Sequence, residues 1–175
     1  MSDAKFDSPP SPESGAARDP LELLDLGIGV SIASRDANGL PDLVRALGAT
    51  RDASGTITVY VSGRDARHVL DNLRGNGAIA VVFSQPTTHR TVQVKAGHVT
   101  IEAATDADVV LVHQRIRAMA AELERHGYER GFTERMLSFD AADLTLVRLR
   151  PEEIFDQTPG PQAGRAFGVS TQRPA

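Results

Sequence analysis

The feature that most restricts this chain is a series of short runs in which every second residue is large and apolar, separated by turn-forming residues. Leu26, Ile28, Val30 and Ile32 alternate with small or polar neighbours up to Ser34, the period of a strand with one buried face. Asp36, Asn38 and Gly39 then supply a turn, because Asn and Gly accept positive φ. Residues 43–50 read as the return strand, 52–55 as a second turn, and 56–61 as a third strand rich in β-branched side chains. Residues 78–84 are almost wholly apolar and predict a central strand. Residues 90–96 set Val92 and Val94 on one face and Thr91, Gln93 and Lys95 on the other, and their continuation over 98–104 predicts a bend at Gly97. A last strand is expected over 143–150, where Leu144 and Leu146 and then Val147 and Leu149 are apolar; Pro151 stops it.

Elsewhere the apolar period lengthens. Ala66, Val69, Leu70 and Leu73 form the stripe of a short helix over 65–74, closed by Gly75 and Gly77. Val109, Val112, Ile116, Met119 and Leu123 mark a long helix over 106–126, with Thr105 or Asp106 as its cap and Gly127 at its end. A further short helix is expected over 132–139. About six strands and two or three helices, joined by hairpin-length turns, predict an α+β fold built on an antiparallel barrel rather than a parallel sheet.

The ends differ in composition. Residues 1–20 hold Ser8, Pro9, Pro10, Ser11, Pro12 and Ser14 with few apolar side chains and are expected to be a disordered tail. The folded domain is expected over 21–158, and 159–175, rich in Pro and Gly, as an irregular segment.

A length of 175 residues suits one domain with a core of its own. The net charge of −4 lacks the basic excess of a general nucleic-acid binder. The chain has no Cys, which excludes disulfides, thiolate zinc sites and cysteine nucleophiles and suits a cytoplasmic location. No apolar run is long enough to cross a bilayer, and the N-terminus does not read as a secretory leader. The five histidines never show the i, i+4 spacing of a zinc helix, so no metal site is expected.

Three segments could carry a site. Ser62, Arg64, Arg67 and His68 lie where a strand leads into a helix, a place suited to a phosphate, although a plain polar helix start capped by Asp65 has the same pattern. Thr91, Gln93 and Lys95 form a polar strand face that lines either a ligand groove or water. Arg45 is a charge inside an apolar run, which snorkels, pairs or meets a ligand. The lone Gly27-Ile-Gly29 lacks the third glycine and the βαβ context of a dinucleotide fingerprint.

Taken in order, these pieces resemble the pyridoxamine 5′-phosphate oxidase family, the FMN-binding split barrels. The resemblance is carried by Ala33-Ser-Arg-Asp-Ala-Asn-Gly-Leu-Pro41, Arg45-Ala-Leu, Thr58-Val-Tyr-Val-Ser62, Leu70-Asp-Asn-Leu-Arg-Gly-Asn76, Ala80-Val-Val-Phe-Ser84 and His89-Arg-Thr-Val-Gln-Val-Lys-Ala-Gly97. It resumes at Phe155-Asp-Gln-Thr-Pro-Gly-Pro-Gln-Ala-Gly164. The resemblance implies a six-stranded antiparallel split β-barrel with two or three peripheral helices, a homodimer, and FMN in the groove between subunits, acting as an oxidoreductase on a small-molecule substrate. Its phosphate contacts map onto Arg45, with Ala46 and Leu47 beside it, and onto Ser62, Arg64, Arg67 or His68. Its Arg-Gln-Val strand maps onto Arg90, Thr91 and Val92, with Thr91 in place of the Gln, and Gln93 follows on the same face. The chain has no Trp and offers only Arg165-Ala-Phe167 where true pyridoxamine phosphate oxidases grip their substrate, so vitamin B6 oxidation is not expected. The alternative within the resemblance is a non-catalytic carrier or sensor of flavin, deazaflavin or heme, with His68 or His89 as an axial ligand.

Overall fold

The structure, a computed structural model, describes residues 19–167. The expected N-terminal tail thus lies outside the described residues as far as position 18, as does the expected C-terminal segment from position 168. The described chain forms β1 (Gly29–Arg35), β2 (Pro41–Ala46), β3 (Gly48–Arg51), β4 (Ile57–Ser62), α1 (Arg67–Asn76), β5 (Ile79–Ser84), β6 (Thr91–Ala96) and β7 (Val99–Ala103). These are followed by α2 (Asp106–Glu124), α3 (Arg130–Met136), β8 (Leu144–Leu149), β9 (Glu153–Asp156) and β10 (Ala166–Phe167). Short 3-10 turns span Pro20–Asp25 and Ala141–Asp143.

All strand pairs are antiparallel, and the fold is α+β as expected. The strands do not make one closed six-stranded ladder. They form a six-stranded sheet in the order β10-β9-β6-β5-β1-β2 and a four-stranded sheet in the order β3-β4-β8-β7. Two of the expected strands break, and the break is what passes the chain between sheets. The return strand ends at Ala46 and restarts at Gly48, with the Leu47 N–H donating to the Tyr60 carbonyl at 2.8 Å. The long strand bends at Gly97, where sequence placed it, and β6 and β7 join different sheets. The six-stranded sheet is widened by β9 and β10, which have no period of their own in sequence; β10 is a strand inside a segment expected to be irregular.

The inner faces of the two sheets enclose the main core, where Ile32, Val59, Val61, Val81, Phe83 and Val94 are fully buried. Helix α1 packs against the inner side of β1 and β2, and its Asn72 amide donates to Asp42 at 2.8 Å and to Ser34 at 3.2 Å. A second cluster lies outside the four-stranded sheet, where Tyr60, Leu144 and Leu146 meet Val112, Ile116 and Met119 of α2, with Leu137 just past α3. The apparent change of phase in β8 has its cause here. Leu144 and Leu146 face α2 while Val147 and Leu149 face the main core, so both sides of the strand are apolar. Helix α2 starts at a capping box in which the Thr105 N–H donates to Asp108 at 2.9 Å and the Asp108 N–H to the Thr105 hydroxyl at 3.4 Å, worth about 1 kcal/mol.

The far end of α2 lies hard against the segment entering β1. A Cβ at Gly27 would come within 2.2 Å of the Ala118 carbonyl oxygen, a distance no side chain tolerates. Nearby, the buried Glu122 carboxylate accepts from the Gln85 amide at 3.0 Å and from the Thr87 hydroxyl, with Arg125 at 3.3 Å. Burial works to raise its pKa, but these donors outweigh burial and hold it below the usual carboxylate range. Gly27→Ala is expected to destabilise the protein by about 1–3 kcal/mol, as overpacked cores do, and to lower Tm by several degrees in thermal denaturation. An unchanged Tm would contradict the close approach of α2.

Candidate functional site

Strand alternation decides which side chains leave the core. On the six-stranded sheet Val30, Ile32, Val81, Phe83, Val92 and Val94 point inward, so Ser31, Ala33, Arg45, Leu43, Ala80, Val82, Gln93 and Lys95 point outward. Register arranges these into rows. Arg45 pairs with Ser31, Ser31 with Val82, Val82 with Gln93 and Gln93 with Phe155. The next row runs Leu43, Ala33, Ala80, Lys95 and Glu153. At the spacing of neighbouring strands, Arg45 and Gln93 are roughly 14 Å apart on one face.

Helix α2 is packed on the other sheet with α3 against it, and α1 lies on the inner side, so among the described residues these two rows carry no helix. The small side chains Ala33 and Ala80 leave a groove of about 570 Å³, bounded by Arg35 and Pro41 on one side and by Lys95, Gly97, Glu152 and Glu153 on the other. The Lys95 ammonium lies 4.7 Å over the Phe155 ring, and Leu43 is 72% exposed. Of the predicted site residues, this face brings together Arg45, Gln93 and the outward Thr91. The Thr91 hydroxyl is within 2.9 Å of Ser84 Oγ. Among the described residues the Arg45 guanidinium has no hydrogen-bond or ion-pair partner.

A second group of predicted residues stands where β4 passes into α1. Strand β2 touches β4, the strand that leads into this turn. Arg64, Arg67 and His68 are exposed, with Arg67 Nη2 3.4 Å from His68 Nε2. The turn is already engaged by a carboxylate. Ser62 Oγ donates to Asp143 Oδ2 at 2.7 Å, and the Arg64 N–H donates to Asp143 Oδ1 at 3.0 Å and to Oδ2 at 3.2 Å. The Ser62 hydroxyl, followed by the Arg64 N–H, holds the Asp143 carboxyl below the usual range, against a smaller opposing effect of burial.

The remaining predicted residues have other duties. Arg90 turns to the Pro20–Asp25 turn, where Nη1 donates to Glu22 at 2.7 Å and Nη2 to the Asp19 carbonyl at 3.4 Å. Ala46 is buried, and Leu47 serves the corner between sheets. Sequence reasoning did not single out Asp143, which lies 81 residues from Ser62 and reads there only as the start of a strand. Nor did it find Ser31, Val82 and Phe155, whose place beside Arg45 and Gln93 depends on register. No group of three or more metal-ligating side chains occurs among the described residues, and none of their helices is long and apolar enough to cross a membrane.

No protein-family model matches the sequence, and no curated protein matches it. Solved structures do. The chain is similar to a structure described as an F420 reductase, with a TM-score of 0.53 and 18% identity over 75% of this chain and 92% of that one. It is also similar to HupZ from Group A Streptococcus, with a TM-score of 0.49 and 15% identity over 82% of this chain and 97% of that one. A third likeness is to a pyridoxamine 5′-phosphate oxidase-related, FMN binding protein from Nostoc punctiforme PCC 73102, with a TM-score of 0.43 and 14% identity over 85% and 90% of the two chains. The likeness to the F420 reductase structure is one of fold alone.

The tie between Ser62 and Asp143 has a sign that can be measured. Because the folded carboxyl is held low, its contribution to stability is present at neutral pH and is lost as pH falls through the folded pKa. Ser62→Ala removes the strongest donor, and carbon-detected NMR titration should show the Asp143 pKa rising toward the ordinary aspartate range. A pKa that stays where it was would contradict the hydrogen bond.

Proposed function

We propose that this protein binds a flavin cofactor, FMN, on the helix-free face of its six-stranded sheet, and that a second copy of the chain covers that face to complete the site. On this reading β2 with β3, and β6 with β7, count as single bent strands, and with β1, β4, β5 and β8 they make the six strands of a split barrel. The observation that carries the reading is the outer row from Arg45 to Phe155: a guanidinium without a partner among the described residues at one end, an amide and an aromatic ring at the other, and only small or apolar side chains between.

The residues present fit such a ligand. Arg45, Arg64, Arg67 and His68 supply cationic and neutral donors for a phosphate, and a guanidinium binds phosphate through paired N–H groups. Gln93 offers both a donor and an acceptor to a ring edge, while Val82, Phe155 and the exposed Leu43 exclude water once a second copy is seated. A bound flavin supplies hydride and electron chemistry; the chain's own groups anchor the phosphate, orient the ring and dry the groove. A twofold dimer buries the same patch from each copy. The activity follows as an oxidoreductase acting on a small-molecule substrate in the cytoplasm.

A second reading replaces the flavin by a deazaflavin, and the likeness to a structure described as an F420 reductase favours it. The same face and the same donors serve either ring system. The absorbance spectrum of the purified protein separates the two, and a Soret band in their place would mark the heme alternative. We expect yellow protein with flavin bands, or colourless protein that takes up added FMN. Arg45→Ala should weaken FMN binding about tenfold, the loss of one charge-assisted contact. Colourless protein that ignores added FMN would contradict the flavin reading.

A further inference from the structure

The turn between β4 and α1 has three donors of the kind that hold a phosphate, and one residue of the chain itself uses all of them. Asp143 takes the Ser62 hydroxyl at 2.7 Å and the Arg64 N–H at 3.0 and 3.2 Å with its carboxylate, and the Gly63 N–H at 2.8 Å with its backbone carbonyl. The Ser62 oxygen in turn accepts the Asp65 N–H at 3.2 Å. The fit is close: a Cβ at Gly63 would stand 2.8 Å from Thr145 Oγ1 and 3.2 Å from Asp143 Oδ1. Gly63 is therefore the residue that lets the carboxylate sit in the turn.

We infer that Asp143 is a built-in anion at this turn, which weakens the hold of the cofactor site on a doubly charged phosphate monoester. The inference rests on the proposed function, in which the phosphate end of the cofactor meets this region. The physical ground is Coulombic. A dianion beside a fixed carboxylate meets twice the repulsion of a monoanion, and it finds the hydroxyl and the N–H groups already satisfied. What remains for the phosphate is the guanidinium set of Arg45, Arg64 and Arg67, with His68 beside it. Asp65 adds a second negative charge at the same turn. The site thus holds the phosphate by these arginines and His68, and less tightly than the same turn would without Asp143.

The test measures dissociation constants for FMN and riboflavin on full-length wild type, Asp143→Asn and Ser62→Ala, by fluorescence quenching. The ratio of the riboflavin to the FMN constant reports the phosphate's own contribution. In Asp143→Asn that ratio should rise about tenfold, with riboflavin affinity within about twofold of wild type. In Ser62→Ala, which keeps the charge, the ratio should not rise. Asp143→Ser serves in place of the Asn variant if circular dichroism shows the latter to be unfolded. A ratio unchanged in the Asp143 variant, or raised equally by Ser62→Ala, would overturn the inference while leaving flavin binding standing. Failure of every protein to bind either flavin would overturn both the inference and the flavin reading.

Discussion

The two sheets share one core, and the unequal covering of their outer sides governs the rest of the molecule. Helix α2, with α3 packed on it, covers the outside of the four-stranded sheet, which is why Tyr60 of β4 and Leu144 and Leu146 of β8 are buried on that side. Among the described residues the six-stranded sheet has no such cover over its two middle rows. A sheet face that carries Leu43, Val82 and Phe155 beside Arg45 and Gln93 combines apolar area with a few polar groups, the make-up of a surface built to be covered. On the proposed reading, a ligand and a second copy of the chain cover it together.

Position on that face comes from register. Arg45 and Gln93 share a row only because β2, β1, β5 and β6 pair without a slip, and a shift of one residue in any of them would send the side chains inward. The corners at Leu47 and Gly97 protect this register, since each lets a strand leave one sheet and enter the other without dragging the row out of line. The turn before α1 obeys a different constraint. Its donors are fixed by Asp143, a residue from the far end of the chain, so the shape of the turn and the tie to β8 stand or fall together.

Much of this was legible in the sequence. The period-two runs and the Asn-Gly and Ser-Gly turns locate eight of the ten described strands, β2 and β3 as one run, and all three α-helices are located within a few residues. The bend at Gly97 was visible as a glycine inside a strand. The break at Leu47 was not, because nothing local distinguishes one bent strand from two. Strands β9 and β10 escaped notice since four and two residues are too few to show a period. The site was legible by residue type and only partly by place. Arg45 and Gln93 reach a common face, whereas Arg90 is drawn off by Glu22 across 68 positions, and Asp143 reaches Ser62 from as far. Pairings at that separation leave no trace in a local pattern.

The central claim is that the uncovered face of the six-stranded sheet is where a second copy and the flavin meet. Sedimentation equilibrium of the wild type and of Val82→Glu, each with FMN present and absorbance read in the flavin bands, tests it directly. Val82 sits in the middle of the outer row, and a carboxylate there would be left buried and unpaired beneath a second copy. The wild type should sediment as a dimer carrying flavin, and the variant as a folded monomer that has lost it. A wild-type monomer with a full complement of flavin, or a variant that still dimerises and binds it, would contradict the claim.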